Sequence, residues 1–201
     1  MFSNLHAIVL SLFGTYLYYT RPALKDDMNV FYHDETCSIM VAFSLSYFVI
    51  DTFLVVTHFP RFGGVSMLFH HGFITLAAIA VTAYNQAVIM SVTACLTEYT
   101  TMFINQRWFL DKCGYRKSTA YVANGLLIWL LWLIFRVGYS FYLLELLYVR
   151  WNDFWSMPLL LGAHFVVQST NLTVLNMMWF YKITMGIVRV LFKNKKEKHL
   201  E

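Results

Sequence analysis

The chain has 201 residues, of which 59% are hydrophobic, 18% aromatic and only 13% charged. A soluble domain carries about 25% charged and about 45–50% apolar residues, so these values exclude a soluble globular domain and predict an integral membrane protein. The formal net charge of +4 comes mainly from lysines near the C-terminus. We interpret these lysines as a basic tail beside anionic lipid rather than as a nucleic-acid-binding patch.

Six apolar stretches predict membrane-spanning helices, because about 20 apolar residues cross a bilayer as a helix. The first stretch lacks the basic start and the cleavage site of a signal peptide, so we expect a retained helix. Asn85 lies between two stretches with almost no linker, which predicts a tight helical hairpin. The stretches cover residues 5–20, 37–56, 67–84, 86–110, 120–147 and 158–182.

The pattern as a whole predicts an all-α protein, a multi-pass transmembrane helical bundle of about six spans around an internal polar cavity. A basic cytosolic tail is expected at residues 192–201. Basic residues in short loops mark the cytosolic side of a membrane protein, and here they favour the side that carries the loop 111–117 and the tail. We therefore expect both termini in the cytosol and the connection 21–36 on the opposite face.

His70, His71 and Glu98 lie inside segments that otherwise predict membrane helices. An ionisable side chain at the centre of such a helix costs about 2.5–3.5 kcal/mol, and these side chains usually face a cavity and mark a functional site. Imidazole can act as a general base, with support from a carboxylate. These three residues are therefore the predicted catalytic set, and we expect one histidine to face the cavity while the other braces it.

Other polar residues in the apolar stretches are expected to line the same cavity. Thr101 and Asn105 follow Glu98 at i+3 and i+7, which places all three on one stripe of the fourth predicted helix. An alternative for the buried amides is that they only hydrogen-bond between helices. No metal site is predicted, because adjacent histidines on a regular helix cannot both bind one ion. The residues expected to line the cavity are Asp51, Thr101, Asn105, Gln168, Asn171 and Asn176.

Two arginines in the predicted helices need separate interpretations. Arg107 lies at the cytosolic end of its helix, opposite Glu98, and is expected to extend to lipid headgroups. Arg136 lies deep in the fifth stretch, beside Trp132. A charge at that depth requires an acidic partner or a lipid phosphate.

Three parts of the sequence resemble the TLC-domain family of membrane proteins, which relates translocation-associated proteins to longevity-assurance ceramide synthases. They are the pair His70-His71, the segment 98–109 and the late segment 175–179. The resemblance extends from about Asn4 to Leu191, so we expect one TLC domain at residues 1–191. Relatives usually begin with one further span, and this chain resembles a version that starts one helix later.

The family includes ceramide synthases, which join a fatty acyl-CoA to a sphingoid amine at a site containing a histidine pair. The resemblance therefore implies His70 and His71 as site residues. A His-Asp-x-x-Asp element of the synthases falls here on Thr97, Glu98 and Thr101. Only one of its two carboxylates is present, which puts acyl transfer in doubt.

Two functions follow from the resemblance. The first, which the changed acidic element favours, is a lipid-handling protein of the endoplasmic reticulum or another endomembrane that contributes to lipid homeostasis. The second is an acyl-CoA-dependent N-acyltransferase of ceramide-synthase type. The expected ligand is a membrane lipid, either a fatty acyl chain or a sphingolipid. We expect no nucleic acid and no cofactor, apart from acyl-CoA as co-substrate of an enzyme, and leave homo-oligomer formation open.

Overall fold

The computed structural model describes the backbone of residues 2–198 and the side chains of residues 2–189, and every regular element in this range is helical. The predicted all-α class is confirmed. Two helices are continued by irregular turns, a 3-10 turn after α5 and a π-helical turn after α7. The helices are α1 (Phe2–Thr20), α2 (Pro22–Lys25), α3 (Glu35–Thr57), α4 (Gly64–Tyr84), α5 (Val88–Cys95), α6 (Tyr99–Lys112), α7 (Thr119–Leu131), α8 (Gly138–Val149), α9 (Trp151–Ser156) and α10 (Leu159–Lys198).

Three helical segments are long and apolar enough to cross a membrane, so this is a membrane protein. They are α3, α4 and the continuous helix Thr119–Val149, which contains α7, the π-helical turn and α8. The other predicted stretches are helical as well, but the count of six spans stays a prediction.

Helix α1 is an integral part of the bundle. Leu10 and Leu17 on this helix are fully buried. Gly14 lies so close to α5 that a Cβ atom on it would be 2.7 Å from the Cβ of Cys95. Small residues allow helices in membranes to approach each other closely. The Thr15 hydroxyl also lies 3.0 Å from the phenol oxygen of Tyr99, which ties α1 to α6.

The connection between α1 and α3 is held by a carboxylate at the start of α3. Asp34 accepts hydrogen bonds from the backbone of Cys37 at 2.7 Å, from Nε of Arg21 at 2.6 Å and from the Tyr32 hydroxyl at 2.7 Å. Burial alone would raise the pKa of Asp34, but these hydrogen bonds outweigh it and hold the pKa well below its ordinary value. The carboxylate therefore stays ionised and caps the helix.

The turn between α4 and α5 is the tight hairpin that the sequence predicts. Asn85 ends α4 in the left-handed region, at a φ of 53°, a conformation that asparagine tolerates well. The backbone N–H of Ala87 donates to the carbonyl of Val30, in the α1–α3 connection, at 2.6 Å. The side chain of Arg150, at the end of α8, donates to the carbonyl of Asp27 in the same connection. The α1–α3 connection, the α4–α5 turn and the end of α8 therefore lie at the same end of the bundle.

Helix α10 is longer than the sixth predicted stretch. It has 40 residues and continues past position 182 to Lys198, because the segment after 182 contains no proline and is rich in helix-forming residues. At about 1.5 Å per residue the helix is roughly 60 Å long, about twice the thickness of the hydrocarbon core. The predicted tail at 192–201 thus begins inside α10. Its side chains, and residues 199–201 altogether, lie outside the described residues.

Candidate functional site

A cavity of about 800 Å³ lies between α3, α4, α6, α7 and α10. We call the exposed part of its lining, which includes Gly63 and Arg116 at the end of the bundle where α4 and α7 begin and α6 ends, the mouth of the cavity. Glu98 and Arg136 line the cavity as well. The apolar part of the lining includes Met67, Ile104, Val122, Leu126, Ile128, Trp132, Ile183 and Ile187. The polar part includes Asp51, His70, His71, Glu98, Thr101, Asn105, Arg107, Arg116, Arg136 and Lys182.

Helix α4 presents both histidines of the pair to this cavity. Their rings are nearly perpendicular, with centroids 5.4 Å apart, and each residue is less than a tenth exposed. The His70 ring packs edge-on against Trp179, at 5.3 Å, and its Nδ1 atom is buried without a hydrogen-bond partner among the described residues. The sequence predicts that one histidine of the pair faces the cavity, whereas in the structure both histidines line it.

His71 is the histidine that meets a carboxylate. Its Nδ1 atom lies 3.1 Å from Oδ2 of Asp51, in the last two turns of α3. The distance is that of a hydrogen bond, but the N–H direction is not aligned with the oxygen, so Nδ1 lacks a proper hydrogen bond. Helices α3 and α4 are joined beside this contact by a 2.8 Å hydrogen bond between the hydroxyls of Thr52 and Thr75. Asp51 is therefore close enough to attract the His71 ring electrostatically, without an aligned hydrogen bond among the described residues.

Glu98 ends the 3-10 turn between α5 and α6. It lines the main cavity and also a smaller inner one of about 70 Å³, and His70 and Phe48 line both cavities too. Among the described side chains, Glu98 takes part in no ion pair. Asp51, rather than Glu98, is thus the carboxylate next to an imidazole.

Arg136 lies in the π-helical turn Trp132–Val137 and is 6% exposed. Its Nε atom donates to the Thr100 hydroxyl at 2.9 Å, and Nη2 lies 3.4 Å from the Thr101 hydroxyl. The guanidinium also lies over the Trp132 ring, with 4.9 Å between Cζ and the ring centre. The sequence required an acidic partner or a phosphate for Arg136. The direct contacts in the structure are two hydroxyls and an aromatic face, and Glu98 is close enough to attract the guanidinium electrostatically.

The amides predicted to line the cavity have different surroundings. Asn105 lines the cavity, and its Nδ2 atom also donates to Ser3 at 2.9 Å and to Asn4 at 2.8 Å, which ties α6 to α1. Gln168 lines the inner cavity. Asn176 donates to the Ser140 hydroxyl at 3.2 Å and, like Asn171, is absent from the lining of either cavity.

The mouth of the cavity carries basic residues that sequence reasoning did not assign to the site. Arg107 was expected to extend to lipid headgroups, but it turns toward α7. Its guanidinium lies 3.9 Å from the centre of the Tyr121 ring and donates to the Tyr121 carbonyl at 3.0 Å. The aromatic face and the carbonyl both attract the cation. Arg116 and Lys182 line the same mouth and are exposed.

Histidine, cysteine, aspartate and glutamate are the side chains that commonly ligate metals. In the part of the chain that the structure describes, no three of them come together as a group that could hold a metal ion.

Apolar helices of spanning length define an α-helical membrane protein. Residues 1–185 match the family model of the TLC domain, so the chain belongs to the TLC-domain family. The resemblance found in the sequence is confirmed.

Several named proteins are similar over most of the chain. TLC domain-containing protein 4 of Homo sapiens is 26% identical over 98% of this chain and 75% of its own length. TLC domain-containing protein 4-B of Xenopus laevis is 27% identical over 94% of this chain and 73% of its own length. TLC domain-containing protein 2 of Danio rerio is 21% identical over 90% of this chain and 72% of its own length. No solved structure matches the chain.

Proposed function

We propose that this protein binds the acyl chain of a membrane lipid in the main cavity and contributes to lipid homeostasis of the endoplasmic reticulum or another endomembrane. The observation that carries the proposal is the cavity itself. Its volume of about 800 Å³ lies within the range of about 300–1,000 Å³ typical of small-molecule sites. An alkyl chain along the apolar lining would leave an oxygen-containing head group beside the histidines.

The proposal includes six membrane spans around this cavity, formed by α1, α3, α4, α5 with α6, α7 with α8, and α10. The alternation of turns between the two ends of the bundle supports this arrangement. Basic residues in short loops favour the cytosolic side, and Arg116, which lines the mouth, lies in such a loop. The mouth would then open to the cytosol, and both termini would be cytosolic.

Filling the cavity should reduce the amount of bound lipid. Gly186 lines the cavity, and a Cβ atom added to it meets nothing within 4 Å, so Gly186→Leu should fold and project into the space. We expect several-fold less acyl lipid to co-purify with this variant, because its side chain occupies volume that the alkyl chain needs. The measurement is mass spectrometry of lipid extracted from equal amounts of detergent-purified protein.

Gly72→Leu is the matched control for this experiment. Gly72 is also a helical glycine with open space at its Cβ position, but it lines neither cavity. Its lipid content should equal that of the wild type. Equal lipid content in all three proteins, or no acyl lipid in any of them, would contradict the proposed function.

A second candidate function, acyl-CoA-dependent N-acyltransfer, is favoured by the contact between Asp51 and His71. With Nδ1 facing the carboxylate, Nε2 is the nitrogen left to accept a proton. In the proposed step His71 takes a proton from the amine as its nitrogen attacks the thioester carbonyl. An amide bond forms, the C–S bond breaks, and the thiolate of CoA leaves. Thr97 and Thr101, in place of a histidine and an acid of the synthases, weigh against this reaction.

A further inference from the structure

Among the described side chains, Arg136 is a buried cation that makes no direct ion pair with a carboxylate, although Glu98 is close enough to attract it electrostatically. It is 6% exposed, and no carboxylate oxygen of the described side chains lies within 4.0 Å of its guanidinium. Burying an ionised group is costly unless it is paired. A guanidinium has five N–H donors, and among the described residues its hydrogen bonds go only to the hydroxyls of Thr100 and Thr101. The remaining donors are therefore available to a ligand in the cavity.

The local backbone holds Arg136 in this position. The residue lies in a π-helical turn, a distortion frequently found at functional sites. Asn176, on α10, donates to the Arg136 carbonyl at 3.3 Å and to the hydroxyl of Ser140 at 3.2 Å, so the turn is fixed from the neighbouring helix. All three of these groups are buried. The hydrogen bonds of Asn176 thus hold the backbone of Arg136 in place, and its side chain lines the cavity.

A second unpartnered polar group lies in the lining of the same cavity. His70 is 9% exposed and its Nδ1 atom has no hydrogen-bond partner among the described residues. His70 and Arg136 come from different helices and both line the cavity. Two buried groups with hydrogen-bonding atoms still free, one of them cationic, are what a site for a ligand's oxygen atoms requires.

We propose that Arg136 binds the carboxylate of a long-chain fatty acid whose alkyl chain lies along the apolar lining. The inference rests on the proposed function, since it names the head group of the lipid in the cavity. The planar guanidinium matches a carboxylate with two parallel hydrogen bonds. Asp51 and Glu98 line the same cavity and would repel a doubly charged phosphate more strongly than a singly charged carboxylate.

The test is a binding assay with three radiolabelled ligands and purified protein in detergent, at a pH where palmitate is ionised. The ligands are palmitate, its uncharged methyl ester and lysophosphatidic acid. Wild-type protein should bind palmitate at least tenfold more tightly than the ester, because hydrogen bonds to charged groups contribute about ten- to a hundredfold in affinity. Arg136→Met should abolish this preference and still bind the ester.

Two further variants separate this role from others. Arg61→Met removes an arginine from the exposed loop before α4 and should bind as the wild type does. Glu98→Gln should keep or increase the preference for palmitate, because a negative charge leaves the cavity. If Arg136 serves only as a counterion to Glu98, Arg136→Met will keep the wild-type preference for palmitate over the ester, and the proposal is overturned.

Folding is monitored by thermal melting in detergent. Arg136→Met should still show a cooperative melting transition, because methionine keeps most of the apolar part of the arginine side chain. Should that variant fail to fold, Arg136→Lys keeps the charge but loses the planar fork, and its palmitate preference should fall several-fold. An unchanged preference in Arg136→Lys would then overturn the proposal.

The outcomes also distinguish this inference from the proposed function. Equal binding of palmitate and its ester by the wild type would overturn the role of Arg136 and leave acyl-chain binding standing. Preferred binding of lysophosphatidic acid, lost in Arg136→Met, would overturn the carboxylate as the ligand group. Binding of none of the three ligands would overturn both proposals.

Discussion

Alanine at His70 or His71 should lower the rate of amide formation by about 10²–10⁴-fold if the cavity is a site of acyl transfer, since that is the usual contribution of a general base. The larger loss is expected for His71, because its Nδ1 atom lies 3.1 Å from Oδ2 of Asp51. Asp51→Asn should also lower the rate, because it removes the charge that attracts the ring. The measurement is lipidomics of cells that express each variant, in which the loss of activity should appear as a change in the ceramide and phospholipid profiles.

Stability measurements separate this catalytic role from a structural one. A polar contact between membrane helices is worth only about 0.6 kcal/mol on average, so both alanine variants should insert and melt close to the wild type. If the histidines only support the fold, the variants will melt at a lower temperature and leave the lipid profile alone. A wild-type lipid profile for both alanine variants would rule out the enzymatic function.

Gly162→Ala should destabilise the fold strongly, by about 2–3 kcal/mol. A Cβ atom at Gly162 would overlap the backbone carbonyl of Phe154, in α9. Overpacking usually costs about 1–3 kcal/mol, and here the obstacle is backbone, which cannot rotate away as a side chain can. For a chain of this size the midpoint of thermal unfolding in detergent should fall by roughly 4–12 °C.

Gly72→Ala should have the opposite effect and serves as the matched control. Gly72 is helical as well, but its added Cβ atom would meet nothing within 4 Å. Alanine at a helical glycine without a clash stabilises by roughly 0.5–1 kcal/mol. A Gly162→Ala variant as stable as Gly72→Ala would mean that α9 and α10 are not packed as described.

The helices follow from the sequence because their cause is local. The long apolar stretches and their few helix breakers are sufficient to predict α3 and α4 within a few residues. Asn85, between two of these stretches, is sufficient to predict the hairpin after α4. The buried ionisable residues are also predictable as a group, because only a cavity can accommodate His70, His71 and Glu98 at that depth.

The partners within the site could not be predicted, because they depend on the rotation of each helix about its axis. The π-helical turn at Trp132–Val137 changes that rotation inside a stretch whose sequence is uniformly apolar around Arg136. Arg136 lies in this turn and donates a hydrogen bond to Thr100. Similarly, the position of Arg107 on α6 depends on Tyr121, which lies on the neighbouring helix α7.

Photo-crosslinking measures directly whether an acyl chain occupies the main cavity. A fatty acid with a diazirine in its chain and a terminal alkyne would be fed to cells, crosslinked in intact membranes and mapped on the purified protein by peptide mass spectrometry. Crosslinks are expected at Ile128, Trp132 and Ile183, which line the cavity, and should be lost in Gly186→Leu. Crosslinks confined to outward-facing residues such as Ile50 and Phe53, unchanged in that variant, would contradict acyl-chain binding in the main cavity.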